Sequence, residues 1–294
     1  MSHRKGIILA GGSGTRLYPI TKAVPKSLIT IYDKPMIYYP LSTLMNSGIR
    51  EILIITTPET KSLYESLLGN GSDWGIEITY EIQEKPEGIA QAFIIAEEFI
   101  DNNPSVLILG DNIFHSDNMG ENLKYVNCKE EGATVFAYNV DNPSSFGVVE
   151  IDSDGIAISL EEKPMNPRSS LAVTGLYFYD SNVVEISKKI KPSKRGELEI
   201  TDVNKEYMKQ GQLSVEVMDQ DLLWIDTGTQ NSLMNASNIF FEIEKNENKK
   251  ISCPEIIAWQ KGFITTHDLV RLSEKIITSS YGQYLFEFIQ KENK

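Results

Sequence analysis

Lys5-Gly6-Ile7-Ile8-Leu9-Ala10-Gly11-Gly12-Ser13-Gly14-Thr15-Arg16-Leu17 is an apolar run that empties into three glycines and an arginine. Ile7, Ile8 and Leu9 are consecutive rather than alternating, the pattern of a strand covered on both faces. Gly11, Gly12 and Gly14 permit unusual backbone angles and close approach, so that successive N–H groups, with those of Ser13 and Thr15, can converge on a polyanion. Arg16, and Lys26 in Pro25-Lys26-Ser27, would add positive charge to the same phosphates. A tight turn beside two solvated cations would be the lesser alternative if the segment stood alone. A Walker A loop requires Gly-Lys-Ser/Thr after four intervening residues, and that spacing is missing. The dinucleotide fingerprint fits Gly12-Ser13-Gly14 but places Leu17 where its third glycine belongs, so an NAD-dependent oxidoreductase survives only as a distant rival.

Further along the chain, short β-branched runs alternate with amphipathic stretches, punctuated by Gly, Pro, Asn and Asp. Strands are expected at Lys5–Ala10, Glu51–Thr56, Ile76–Ile82, Val106–Leu109, Thr134–Asn139, Ala172–Tyr179 and Leu213–Met218. A helix is expected over Gly88–Phe99, where Ile89, Ala92, Phe93 and Ala96 share a face, and another over Asp202–Gln210, capped by Thr201 and ended by Gly211. Strand, helix and strand in succession predict an α/β fold whose sheet is mainly parallel. Asp152-Ser153-Asp154-Gly155 between Phe146–Ile151 and Ile156–Leu160 is a hairpin signal, so the sheet is mixed, with an antiparallel insertion. Beyond Thr229, Asn231–Glu244 and Asp268–Ile277 read as a C-terminal helical layer. The expected division is a main domain over 1–229 and a helical segment over 230–294 packed on the core or at a subunit interface.

The 294 residues are 41% hydrophobic and carry a formal charge of -13, which argues against a coat for nucleic acid or anionic lipid. A chain this acidic holds a polyphosphate only through concentrated cations, dipoles or a metal. The first apolar run is too short for a leader core or a membrane span, and a cytoplasmic location is expected. Cys128 and Cys253 are far apart and form no CxxC, and His3, His115 and His267 are scattered, so neither a zinc site nor a catalytic triad has support.

Val106-Leu107-Ile108-Leu109-Gly110-Asp111 ends an apolar strand on a carboxylate, and Leu222-Leu223-Trp224-Ile225-Asp226-Thr227-Gly228 repeats that pattern. Open α/β sheets place ligands at the carboxyl ends of strands. Two carboxylates with phosphate oxygens and waters make the oxygen shell that Mg²⁺ prefers, although either aspartate alone would serve as a turn or capping residue. In Glu161-Glu162-Lys163-Pro164 the proline is expected to impose an extended exit that fixes where Lys163 points. Gln83 carries an amide able to read a base edge, and Gly88 offers bare backbone. Trp224, Tyr38-Tyr39 and Tyr177-Phe178-Tyr179 read as packing.

Taken in order, Leu9 to Leu17, Pro25-Lys26, Tyr32-Asp33-Lys34-Pro35-Met36-Ile37-Tyr38-Tyr39-Pro40, Gly110-Asp111-Asn112, Glu161 to Pro164, Gly196-Glu197-Leu198-Glu199-Ile200-Thr201-Asp202, Trp224 to Thr229 and Ser252-Cys253-Pro254-Glu255 closely resemble bacterial glucose-1-phosphate thymidylyltransferases. The resemblance covers nearly the whole chain. It implies a Rossmann-like sheet, a nucleotidyltransferase catalytic domain over 1–229 with its sugar-binding half at about 140–215, a homotetramer, feedback control, and service to deoxysugar (rhamnose-type) biosynthesis. It also implies attack of glucose 1-phosphate on the α-phosphorus of dTTP, with Mg²⁺ held by Asp111 and Asp226. A sugar phosphate has a second pKa of about 6, so its dianion needs no general base at neutral pH.

By the same resemblance, Arg16 and Lys26 hold the leaving pyrophosphate, the Gly11 to Thr15 amides cradle the nucleotide, and Lys163 binds the attacking phosphate. Gln83 and Gly88 read thymine, Gly147, Glu162 and Val173 contact glucose, and Arg195 lies near its phosphate. Phe146, Glu84-Lys85 and Thr30 depart from the family pattern, which loosens nucleotide and sugar preference and leaves a UTP- or CTP-using relative as the alternative; a catalytically silent nucleotide sensor is a more distant one, against which Arg16, Lys26, Asp111, Lys163 and Asp226 together argue.

Overall fold

In the computed structural model, which describes residues 4–116, 119–219 and 221–292, the run leading into the glycine loop forms β1 (Lys5–Leu9) in the middle of the main sheet. His3 lies outside the described residues. The other strands are β2 (Thr30–Ile31), β3 (Lys34–Pro35), β4 (Glu51–Thr56), β5 (Glu77–Ile82), β6 (Ser105–Leu109), β7 (Asn112–His115), β8 (Ala133–Asn139), β9 (Gly147–Ile151), β10 (Ala157–Glu162), β11 (Leu171–Tyr179), β12 (Leu213–Val217) and β13 (Leu223–Asp226). Helices are α1 (Tyr38–Asn46), α2 (Lys61–Leu68), α3 (Gln91–Ile95), α4 (Glu97–Ile100), α5 (Met119–Asn127), α6 (Val183–Lys189), α7 (Ile200–Lys209), α8 (Gln230–Glu247), α9 (Pro254–Gln260), α10 (Thr266–Lys275) and α11 (Ser280–Glu292).

The main sheet runs β10-β9-β11-β6-β1-β4-β5, with β8 pairing along β11 and β12 pairing in turn with β8. Strands β6, β1, β4 and β5 are mutually parallel, and β9, β10 and β11 are antiparallel to their neighbours. The mixed sheet is thus mainly parallel on one side and carries the antiparallel insertion on the other. At the β9–β10 hairpin, Asp152 Oδ1 accepts from the Asp154 and Ile156 N–H groups, both at 2.9 Å, and Gly155 takes the positive φ (80°) that the turn demands.

Parity along the strands divides the core. Ile8, Ile54 and Ile108 face one layer, built by α1, α9 and α10 with Leu41, Leu44, Ile257 and Leu269. Ile7, Leu53 and Leu107 face the other, built by α3, α4, α6 and α7 with Phe93, Ile100, Val183 and Tyr207. Helices on both faces explain why these strands show no polar alternation. A third cluster seats α8, through Leu233, Ala236 and Phe240, against Leu17, Ile31, Met36 and Tyr39, so that α8 backs the glycine-loop side of the molecule.

Three local expectations are corrected. The helix over Gly88–Phe99 begins only at Gln91, because Gly88 at φ 114° is folded against the backbone of Leu198, and it breaks at Ala96. The next helix starts at Ile200 with Glu199 in the capping position, and Thr201 is no cap: its hydroxyl donates to Glu162 Oε2 at 2.5 Å. Lys163 is not extended but sits at φ 44°, with its N–H donating to the Phe146 carbonyl at 2.9 Å. A left-handed non-glycine residue before proline is held against its own preference by its surroundings.

Candidate active site

The edge of β11 opposite β8 is shared between two strands. Ala172 and Val173 pair with β9, whereas Leu176 to Tyr179 pair with β6. The sheet therefore divides beside Thr174 and Gly175, and a side chain fills the gap: Asn112 Oδ1 accepts from the Gly175 N–H at 3.0 Å and from Trp224 Nε1 at 2.7 Å. A Cβ on Gly175 would lie 2.6 Å from the Asn112 carboxamide carbon, so glycine is required there. Above the division opens a cleft of about 600 Å³.

The two aspartates meet in this cleft through a local ribbon. Strand β7 leaves directly after Asp111 and pairs antiparallel with β13, which sets Asp226 opposite Asn112. The junction is tied by Thr227, whose N–H and hydroxyl donate to the Asp111 carbonyl at 3.1 and 2.7 Å. Asp111 accepts from Lys26 at Oδ2 and from Asn112 Nδ2 at Oδ1, the latter at 3.0 Å. Burial pushes its carboxyl up, but the Lys26 ammonium, together with hydrogen bonds from Asn112 and the backbone, holds it below the ordinary value of 3.8. Asp226 goes the other way: burial first, then the negative charge of Asp111, raise it despite Lys26, Arg16 and Lys163. The Arg16 guanidinium stands close to Asp226, since a Cβ on Gly228 would lie 3.4 Å from Arg16 Nη1 and 3.3 Å from Asp226 Oδ1.

The glycine loop borders the same space. Gly12 has nothing within 4 Å of its Cβ position, so its backbone is open to a ligand, and Gly14 at φ 60° leads into the single turn Thr15–Leu17 that carries Arg16. Ser13 and Thr15 are exposed beside it. Gly11 is buried against Gln83, whose Oε1 occupies the place a Cβ would take. Gln83 thus adjoins the loop, Gly88 packs against the Leu198 backbone, and neither forms the wall of the cleft.

Across the cleft, the antiparallel part supplies Gly147, Glu162, Lys163 and Val173. Glu162 is placed by Thr201 and lies 3.7 Å from Lys163 Nζ and 3.5 Å from Arg195 Nη1. Arg195 also contacts Glu197 at 2.8 Å and Glu199 at 3.5 Å. In a chain of net charge -13, Arg16, Lys26, Lys163 and Arg195 all line one cleft. Such a concentration is what polyphosphate binding in an acidic protein requires.

Trp224 and Tyr177, read from sequence as packing, line the cleft as well as the core. Burial and the charges of Glu162, Asp111 and Asp226 push the Tyr177 phenol far up, so it stays protonated. Thr201 was legible only as a helix cap and Asn112 only as the neighbour of Asp111. Among the described residues no three His, Cys, Asp or Glu side chains gather into a metal cage. Cys128 is exposed and Cys253 buried, neither in a disulfide. No helix of the described residues is long and apolar enough to cross a membrane.

The nucleotidyl transferase family model matches residues 5–242. A glucose-1-phosphate thymidylyltransferase of Neisseria meningitidis is 52% identical over 98% of this chain and 100% of its own length. One from Mycolicibacterium smegmatis is 50% identical, again over 98% and 100%. Among solved structures, the glucose-1-phosphate thymidylyltransferase of Bacillus anthracis in complex with a sucrose superposes with a TM-score of 0.74 at 47% identity, over 80% of this chain and 94% of that one. A UDP-glucose pyrophosphorylase complexed with UDP-glucose superposes with a TM-score of 0.72 at 28% identity, over 83% and 100%.

Proposed function

This chain belongs to the nucleotidyl transferase family and, within it, to the glucose-1-phosphate thymidylyltransferases, and from that membership we propose how its own residues carry the reaction. The enzyme transfers the deoxythymidylyl group of dTTP to α-D-glucose 1-phosphate, giving dTDP-glucose and pyrophosphate. The observation that carries the assignment of roles is the meeting, in one cleft, of the Asp111–Lys26 pair and of Asp226 beside Arg16, with Glu162, Lys163 and Arg195 on the facing wall.

In this reading the glucose sits between Gly147, Val173 and Glu162. A Cβ on Gly147 would press to 3.1 Å from Thr201 Oγ1, so the bare backbone leaves Thr201 and Glu162 in place. Lys163, turned into the cleft by its left-handed backbone, and Arg195 draw the sugar phosphate to the α-phosphorus. The dianion is already a competent nucleophile, so the side chains position and neutralise rather than abstract a proton. Arg16 and Lys26, with the Gly12 backbone, take up the charge that collects on the departing pyrophosphate. Gln83 and Gly88 receive the thymine.

The donor set suits Mg²⁺: two carboxylates line one cleft, and burial and the charge of Asp111 push Asp226 up despite Lys26, Arg16 and Lys163. Asp111 and Asp226 would hold the ion, which when bound would offset charge on the triphosphate oxygens. Asp226→Asn tests this directly. Turnover at every Mg²⁺ concentration should be lost while the circular dichroism spectrum is kept, and undiminished turnover would remove the metal assignment.

Residues 1–229 form the catalytic part in this account, with 140–215 as its sugar-binding half, and 230–294 the helical layer. A homotetramer is the proposed working form, with apolar Met234, Phe241 and Tyr32 exposed on and beside α8 as surface for self-association, and the cytoplasm its proposed location.

A further inference from the structure

We propose that Gln91 and Glu87 form a lock that fixes which way round the Gln83 carboxamide faces, and that this lock makes the base subsite selective for a pyrimidine carrying an imide N–H. The inference rests on the reading above that Gln83 receives the base. A free glutamine amide is ambidextrous: turned by half a circle, it exchanges its acceptor for its donors. One orientation accepts the N3–H of thymine or uracil, and the other donates to the bare N3 of cytosine. Gln83 alone therefore encodes no choice between them.

The choice is imposed two steps away. The Glu87 carboxylate can only accept, and it accepts from Gln91 Nε2 at 2.9 Å. That fixes Gln91 with its Oε1 on the other side, where it accepts from the Glu87 N–H at 3.2 Å, a donor shared with the Lys85 carbonyl. An amide nitrogen there would set donor against donor. The same Oε1 accepts from Gln83 Nε2 at 2.6 Å. Gln83 must then keep its nitrogen toward Gln91 and its Oε1 toward Gly11 at the mouth of the glycine loop. The orientation follows from a carboxylate that cannot donate and a peptide N–H that cannot accept.

The support is rigid. Leu198 N–H donates to the Glu87 carbonyl at 2.6 Å and Ala90 N–H to the Leu198 carbonyl at 3.1 Å, pinning the turn on both sides of Gly88. Gln83 is buried, so a lone pair opposed there finds no compensating water.

The test compares kcat/KM for dTTP, UTP and dCTP with glucose 1-phosphate in the wild-type chain and Gln91→Met. Methionine keeps the length and removes the acceptor that holds Gln83 Nε2. The dTTP-to-dCTP ratio should fall by at least about 10-fold in Gln91→Met, the scale of one misdirected buried hydrogen bond. The dTTP-to-UTP ratio should not move, because both bases carry the same imide N–H. General damage to the subsite would lower all rates together and leave the ratios unchanged. An unchanged dTTP-to-dCTP ratio in Gln91→Met, or an equal fall in the dTTP-to-UTP ratio, would overturn the lock. A wild-type chain that failed to use dTTP at all would overturn the functional reading on which it rests.

Discussion

Replacing Lys26 by methionine removes one charge from the cleft and little volume, so its effect can be worked from local electrostatics. Lys26 is mostly buried and paired with Asp111. Two unit charges about 4 Å apart interact by roughly 4 kcal/mol at an effective dielectric of about 20. Part of this acts on substrate and transition state alike, and only the charge that grows on the pyrophosphate during transfer counts toward rate. Loss of one such preorganised donor typically costs about 2.7–4 kcal/mol, or a fall in kcat of about 10²–10³-fold. The substitution also leaves Asp111 with burial and Asp226 against it and its main cation gone, so its carboxyl should rise from its depressed value. The assay is steady-state pyrophosphate release at saturating glucose 1-phosphate, with circular dichroism to verify the fold. Lys26→Arg should recover part of the loss, because the charge is kept though its reach differs. A Lys26→Met enzyme within threefold of wild type would refute the reasoning, since no other cation is paired with Asp111 among the described residues.

Three further outcomes follow from the packing. Gly88→Ala should lower stability by about 1–3 kcal/mol, read as a drop in Tm, because φ is 114° and the new methyl would lie within 2.8 Å of the Leu198 carbonyl carbon; an unchanged Tm would mean that this turn can relax. Thr201→Val should raise KM for glucose 1-phosphate by about 3- to 10-fold with KM for dTTP unchanged, because Glu162 loses its hydroxyl donor; equal effects on both substrates would remove Glu162 from the sugar side. Asp33 is opposed by burial, but Lys34 and Lys250 hold its carboxyl below 3.8 in the fold. The stability this supplies is complete above the unfolded value of about 3.9 and is lost as pH falls through the lower folded value. Asp33→Asn should therefore flatten the acid limb of the stability profile measured by urea unfolding, and parallel limbs would show that Asp33 contributes nothing there.

What the sequence discloses and what it hides have physical reasons. The strand before the glycine loop and the one before Asp111 are legible because local composition suffices: consecutive β-branched residues covered on both faces, then a break. Helix α1 is not legible, because Tyr39 to Met45 are all buried and no polar face marks a period. The two aspartates can be suspected singly, but their meeting depends on β7 pairing with β13 across more than a hundred residues, which local pattern does not record. Thr201 occupies a place that suits a cap, and only the position of Glu162 on β10 shows why its hydroxyl turns elsewhere. Lys163 takes a backbone angle that its neighbour Pro164 argues against, and strain of that kind is supplied by tertiary surroundings.

The most direct test of the account is pyrophosphate release from the wild-type chain with Mg²⁺ and glucose 1-phosphate, offering dTTP, UTP, CTP, ATP and GTP separately, with the sugar phosphate omitted as control. Release should be fastest with dTTP, should vanish without glucose 1-phosphate, and should be accompanied by dTDP-glucose in equal amount. Folded protein that releases no pyrophosphate from dTTP, or releases it equally without the sugar phosphate, would contradict the account.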